Sequence, residues 1–315
     1  MSRGERVFEV IAFPLVMGGA VAAGLAAVGA GHDPGRVSGV LTAAVGALIL
    51  VLERRFPLHR SWLHSQDDLA TDIAHAVDIA VVAGIAVGPV AAVWGIHAAG
   101  FLSDRFGSGL WPGTWPLLAQ LPLALVLAEL PKYWNHRLQH QIDFLWRFHA
   151  THHSAPRLYW LNAARFHPVD IFVDGLLGSV PLVALGAGIE VIALFNLVSG
   201  VHGYFQHANL TLRLGPLNRF FSMAELHRWH HSPVLAEANH NYGQNLSVWD
   251  QVFGTFFLPK DREPPEHIGI PDLAAFPMTF WAQIASPFTW RRIKVGSAAG
   301  RNQEGGLPGT QPAGR

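Results

Sequence analysis

Long apolar runs dominate the first hundred residues and constrain this chain before any motif is considered. They cover residues 7–30, 37–52 and 73–99, with very few charged side chains inside them. A helix of about 20 apolar residues crosses the ~30 Å hydrocarbon layer of a bilayer. Only helices or closed barrels satisfy the backbone there. Half of all residues are hydrophobic and only 14% are charged, against roughly a quarter charged in soluble domains. The chain therefore reads as an all-α integral membrane protein.

Read in order, a first span runs from Val7 to Ala30. Its short basic start, Arg3 and Arg6, also suits a signal peptide. The run is too long for a signal-peptide core, and further spans follow, so a retained span is the better reading. His32 to Gly35 makes a turn, and Val37 to Leu52 forms a second span stopped by Glu53, Arg54 and Arg55. Ile73 to Ala99 is a third span with Pro89 inside it. Trp111 and Trp115, in a Gly/Pro/Trp-rich loop, suit an interfacial aromatic belt. A fourth span runs from about Pro116 to Leu130. Ile171 to Val201 is a second apolar region, broken near Gly186-Ala187-Gly188, and reads as a hairpin of short spans or a re-entrant segment. Glu190 within it should face a turn or the protein interior. The last ~20 residues, rich in Gly, Pro and Gln, read as a disordered tail.

Basic residues near span ends set orientation. Arg3/Arg6, Arg54/Arg55/Arg60, Arg137/Arg147/Arg165 and Arg213/Arg219/Arg228 fall on one side if four early spans precede a later hairpin. The opposite loops hold Arg36 and Arg105. Both termini are thus expected in the cytoplasm. The zero formal net charge gives nothing to attract nucleic acid, and no such partner is expected. The absence of cysteine excludes disulfides, thiolate ligands and cysteine nucleophiles. Any metal must sit on nitrogen and oxygen.

The histidines supply that nitrogen. His136 and His140 lie four apart, and H-x-x-H-H occurs twice, at His149/His152/His153 and at His227/His230/His231. Residues i, i+3 and i+4 share a helix face, so each box can aim two or three imidazoles at one point. His207 is a further candidate ligand and His202 a weaker one. So many imidazoles exceed the four ligands of a zinc site, and two ions fit better. An all-histidine set with open positions suits a redox metal that binds dioxygen, iron first and copper second. No Ser–His–Asp machinery is expected, and no catalytic side chain beyond the metal site. Metal-bound histidines commonly donate their other N–H to a carboxylate; Asp250 and Glu225 are the candidates for that role.

The run YWNHRLQHQIDFLWRFHATHHS, then ELHRWHHS and NYGQNLSVWDQVFGTF (Asn241 to Phe256), resembles the fatty acid hydroxylase/sterol desaturase superfamily over roughly residues 120–258. That resemblance implies a membrane-bound non-haem di-iron oxygenase of bacterial type, a helical stem under a cytosolic histidine-rich cap holding a dimetal site. It assigns His136, His140, His149, His152, His153, His207, His227, His230 and His231 to the metal, with His202 as a possible further ligand. Asn241 belongs to the C-terminal signature, a structural and metal-supporting element, and His167 resembles a segment of bacterial members. His240 is offset from the ligand pattern. Residues 1–115 are read as N-terminal transmembrane helices, 116–260 as the catalytic region and 261–315 as a C-terminal cytosolic segment.

Such a protein would use O2 and two external electrons to hydroxylate a C–H bond of a sterol- or fatty acyl-type lipid. Desaturation at the same site is the alternative, with a membrane zinc hydrolase or a metal transporter behind it. Zinc can substitute for iron in isolated protein. No nucleotide-binding or haem module is evident in the chain, so a separate electron donor is implied, a ferredoxin or small cytochrome with an NAD(P)H reductase. High Ala and Gly, with Arg over Lys, suggests a bacterial inner membrane.

Overall fold

The computed structural model describes residues 3–107 and 110–304, with side chains placed for 4–107 and 110–299. Among them there are helices and two isolated β-bridges but no strand. Helix α1 spans Arg3–Gly29 and α2 spans Pro34–Arg55. The Asp33 carboxylate caps α2 by accepting from the Arg36 amide at 2.8 Å, and Pro34 occupies the first helical position, where its missing N–H costs nothing. Helix α3 (Leu69–Val82) continues through a single π-turn (Ala83–Val87) into α4 (Gly88–Phe106). The wide turn falls just before Pro89, where a regular helix would lose a hydrogen bond and meet the proline ring.

The expected fourth span is replaced by helix α5 (Leu117–Gln141), which runs on past Leu130, so His136 and His140 ride on the same helix, and which is not among the segments apolar enough to cross a membrane. Ile142, in extended conformation, breaks it before α6 (Asp143–His153). Helices α7 (Pro168–Leu185) and α8 (Ile189–His207) form the expected hairpin, with Gly186 in the left-handed region (φ 93°) at the turn. Glu190 sits in the first turn of α8, beside that turn. The short helices α9 (Ala224–His230), α10 (Leu235–Ala238), α11 (Val248–Val252) and α12 (Phe280–Ile284) follow, and α13 covers Ser286–Glu304. The expected C-terminal tail is helical up to that residue; its remainder lies outside the described residues.

Among the described residues, four segments are long and apolar enough to cross a membrane: Gly4–Gly29, Pro34–Arg55, Leu69–Phe106 and Pro168–Leu185. Helices α5 and α8 complete the bundle from inside. Helix α8 packs against α1, α2 and α5, burying Leu194, Leu197, Val201 and Phe205 against Phe13, Ile49 and Ala124. At the α4–α7 contact a Cβ on Gly95 would lie 2.4 Å from Val183, so only glycine permits that approach. Trp111 is buried, its indole donating to Gln120 at 2.6 Å, and so is a packing residue instead of part of a belt; Trp115 is exposed.

One end of the bundle gathers the α1 N-terminus and the α2 C-terminus, where Phe8 stacks on Phe56 at 4.0 Å. Phe13 meets Phe205 near the end of α8. Buried acids at that end bind the segment that follows α6. Asp68 takes Arg157 bidentately at 2.6 and 3.0 Å, Asp72 takes Arg165 at 2.5 Å, and Glu53 accepts from the Trp160 and Asn209 amides. Each ion pair is almost fully buried, so losing either partner would strand a charge. These tethers clamp the histidine-bearing segments onto the ends of the spans.

Candidate metal centre

Helical spacing explains how the histidines are distributed. On a helix, i and i+4 point nearly the same way while i+3 is offset by about 100° from i+4. In α6 the pair His149/His153 faces one group, and His152 faces another. In α9 the arrangement is exchanged: His227, in mid-helix, and His231, just past the end, join His152, while His230, the last helical residue, joins His149 and His153. His136 and His140 from α5 complete a group of five, and His207, the last residue of α8, completes a group of four. Within each group the candidate ligand nitrogens lie within 4.8 Å of one another. The groups abut where His153 and His231 stack with centroids 4.4 Å apart. All nine are buried except His140, which is partly so.

The hydrogen bonds behind the rings fix which nitrogen faces inward. Nδ1–H of His136 donates to the Tyr242 carbonyl (2.7 Å), that of His230 to the His240 carbonyl (2.8 Å) and that of His152 to the Arg165 carbonyl (3.2 Å). His207 Nδ1–H donates to the Asn162 side-chain oxygen (2.9 Å) and His149 Nδ1–H to Asp170 (3.2 Å). These partners are acceptors, so each of the five rings carries its proton on Nδ1 and presents a bare Nε2 lone pair. Nε2 of His136, His149 and His230 is buried without a hydrogen-bond partner. In the second group His207 and His227 face each other Nε2 to Nε2 at 2.9 Å, and His231 Nε2 lies 3.1 Å from His227 and 3.2 Å from His152. Nε2 protons on His227 and His231 would leave their Nδ1 atoms, which have no partner, as buried bare acceptors. An unsatisfied buried polar atom costs about 1–3 kcal/mol. A cation in each group would take up these lone pairs, so the donor set fits metal.

Burial and the neighbouring rings hold the imidazoles of His149, His152, His153, His227, His230 and His231 well below the usual histidine range. They stay neutral at physiological pH, the form that ligates.

Other expected residues act at one remove or elsewhere. Asp250 reaches no imidazole: it accepts from the amides of Tyr242 (2.8 Å) and Gly243 (2.9 Å) and from the Thr255 hydroxyl (2.7 Å), and so holds the turn whose carbonyl takes His136. Burial pushes its carboxyl up to about 7. A Cβ on Gly243 would fall 2.2 Å from the Leu246 carbonyl oxygen, so the turn requires glycine. Asn241, at φ 56°, bonds the Leu226 and Phe257 carbonyls and ties the turn to α9. Glu225 departs from its expected role, accepting from the Leu214 amide and the Asn218 side chain at 2.7 Å, because the first turn of α9 faces that loop. His167 also lies apart: its Nδ1 caps α7 by accepting from the Val169 amide, and its Nε2–H donates to the Ile284 carbonyl. His202 stands outside both groups, edge-on to Phe13. His240 contributes its backbone carbonyl. The carboxylate that does meet a histidine is Asp170, in the first turn of α7, which also accepts from Gln139 at 2.8 Å. Neither it nor Asn162 stands out in sequence.

The family model for fatty acid hydroxylases matches residues 121–255. An ornithine lipid hydroxylase from Rhizobium tropici is 42% identical over 249 residues, covering 77% of this chain and 73% of that protein. An alkylglycerol monooxygenase from Homo sapiens is 27% identical over 153 residues, 48% of this chain and 33% of its own. A Delta(7)-sterol 5(6)-desaturase from Leptosphaeria maculans is 27% identical over 152 residues, 48% of this chain and 40% of its own. No solved structure matches the chain.

Proposed function

Because the chain belongs to the fatty acid hydroxylase family, we propose that it is a membrane-bound lipid hydroxylase whose nine converging histidines hold two iron ions. The reaction is that of a monooxygenase: RH + O2 + 2 electrons + 2 protons give ROH and water. The observation that carries this reading is the pair of imidazole groups with Nδ1 protons pinned outward and bare nitrogens inward. Iron bound there supplies the activation of dioxygen and of an inert C–H bond.

The protein's own part is to orient and to exclude. The carbonyls of residues 165, 240 and 242, with Asp170 and Asn162, hold five rings in one tautomer, so their Nδ1 protons stay put through turnover. The five nitrogens of one group and the four of the other would each hold one ion, which would supply the oxygen chemistry there. Burial of the rings keeps bulk water away from the reacting carbon. Residues 1–115 serve as N-terminal transmembrane helices, 116–260 as the catalytic region and 261–315 as a C-terminal cytosolic segment. Arg54 and Arg55 at the end of α2, and Arg137 of α5, share one end of the bundle with the site, which favours a cytoplasmic site on a bacterial inner membrane. Two electrons come from a separate ferredoxin or small cytochrome system.

Ornithine lipid is the first substrate to test, given the 42% identical relative. Protein from iron-replete cells should hold about two irons per chain, fewer in His152→Ala and in His230→Ala, one from each group. With O2 and a reductase it should give a lipid product heavier by one oxygen, labelled from 18O2. A product lighter by two hydrogens would make it a desaturase, the activity named for the fungal relative. Bound metal that neither substitution disturbs would sink the proposal.

A further inference from the structure

The last two helices carry a surface that the site does not use. In α13, Trp290, Ile293 and Ser297 are buried, the first two in a small core with Ala150 of α6, Leu273 and Phe276. Phe288 (87% exposed) and Val295 (64%) lie seven residues apart on the opposite face, and Trp281 of α12 is 78% exposed. Arg291 and Arg292, both exposed, flank the Phe288–Val295 line at about 40–60° on either side. Bulky apolar side chains with an arginine on either side are unsuited to water but fit the boundary of a bilayer, where rings enter the acyl region and guanidinium groups meet phosphate.

The position of α12 places this stripe at the right height. The Thr71 hydroxyl, in the first turn of α3, donates to the Met278 carbonyl at 3.0 Å. One turn further, His75 Nε2 pairs with Gln283 Oε1 at 2.8 Å, and its ring meets Phe280 edge-on. Residues 278–283 are therefore fixed to the first turns of the segment Leu69–Phe106, where that segment enters the membrane. Gln283 also donates to the Ser154 hydroxyl, next to His153, and the Ile284 carbonyl accepts from His167. Lys294 and Trp290 of α13 hold Asp143 at the start of α6.

We propose that α12 and α13 lie in the headgroup layer of the bilayer, with Trp281, Phe288 and Val295 inserted among the acyl chains and Arg291 and Arg292 on lipid phosphates. Fixed to α3 and α6 together, they set the depth of the histidine groups relative to the lipid surface. The inference rests on the membrane-spanning assignment of α3 and α4 and is independent of the reaction catalysed.

The chain has no cysteine, so single labels are straightforward. Phe288→Cys, Val295→Cys, Val81→Cys in the middle of a span and Lys260→Cys on the site-side loops would each carry a nitroxide, in full-length protein in nanodiscs of phosphatidylcholine and phosphatidylglycerol. Collisions with oxygen, which partitions into lipid, and with a water-soluble nickel chelate report depth. Labels at 288 and 295 should favour oxygen several-fold over the label at 260 and sit shallower than that at 81. Nickel access at 288 and 295 equal to that at 260, with 81 protected, would overturn the proposal. Protection that appears only with spin–spin broadening between two chains in one disc would also overturn it, in favour of a second copy. Nickel access at 81 as well would overturn the spanning assignment and the proposal together.

Discussion

Asp170 gives the sharpest test of how the site is built. Its carboxylate is buried and holds two partners, Gln139 at 2.8 Å and His149 at 3.2 Å. Asp170→Ala removes the acceptor behind one ring of the group of five and leaves the group of four untouched. Loss of such a supporting contact typically weakens metal binding 10–100-fold, or about 1.4–2.7 kcal/mol. Because His149 itself remains, the ion should be weakened and not abolished. A chelator titration of the metal-loaded variant should become biphasic, with about half the metal released at 10–100-fold lower competitor concentration. Asp170→Asn, whose single amide oxygen serves one of the two donors well, should fall between. Glu225→Ala, which touches no imidazole, should titrate like the parent. Uniform weakening of all the metal in Asp170→Ala, or an effect of Glu225→Ala as large, would refute the division into two separately supported groups.

Other consequences are as direct. Gly243→Ala drives a Cβ into the Leu246 carbonyl at 2.2 Å and toward Asp250 at 2.8 Å; the shifted Tyr242 carbonyl should release His136, giving a chain that folds but retains less metal, read by metal analysis and thermal melting. Asp68→Asn leaves Arg157 buried beside an uncharged partner, costing about 3–5 kcal/mol and lowering Tm. In metal-free protein the six imidazoles of α6 and α9 titrate below their unfolded value. Stability should therefore be full above pH ~6.5 and fall as the pH drops further, since the unfolded chain takes up protons the native one refuses. The Asp250 carboxyl, raised by burial to about 7, opposes this but is outnumbered by the six imidazoles; denaturant melts at pH 7.5 and 5.5 give the sign, and a gain of stability at the lower pH would contradict it.

Much of the architecture was legible because it is written in local periodicity. Unbroken apolar runs of bilayer length become helices there, and spans 1, 2 and 3 and the first arm of the 171–201 hairpin follow from that. Their ends were less legible. Helix α5 continues past Leu130 because Glu129 and Lys132, which look like a membrane exit, are buried with partners from other segments: Glu129 accepts from the Gln244 and Asn245 amides, and Lys132 pairs with Asp174 at 3.1 Å. Trp111 misled for the same reason, since a tryptophan in a loop says nothing of the Gln120 side chain waiting for its N–H.

The histidines divide along the same line. Spacing alone singles out the boxes, because i, i+3 and i+4 are neighbours on any helix. That the i+3 member of each box leaves its companions for the other group depends on where α5, α8 and α6 meet α9, about 70 to 300 Å of chain apart when extended. The acceptors behind the rings are further still from sequence. Three are backbone carbonyls, at residues 165, 240 and 242, which every residue possesses, and two are Asp170 and Asn162, brought close by the ion pairs that fold the chain back onto α3. The sequence by itself determined a helical membrane protein rich in metal-binding nitrogen, since both properties reside in short-range patterns. Which nitrogen faces inward, and how nine rings become two groups, was decided by tertiary structure, because a tautomer depends on the acceptor a ring meets across the fold.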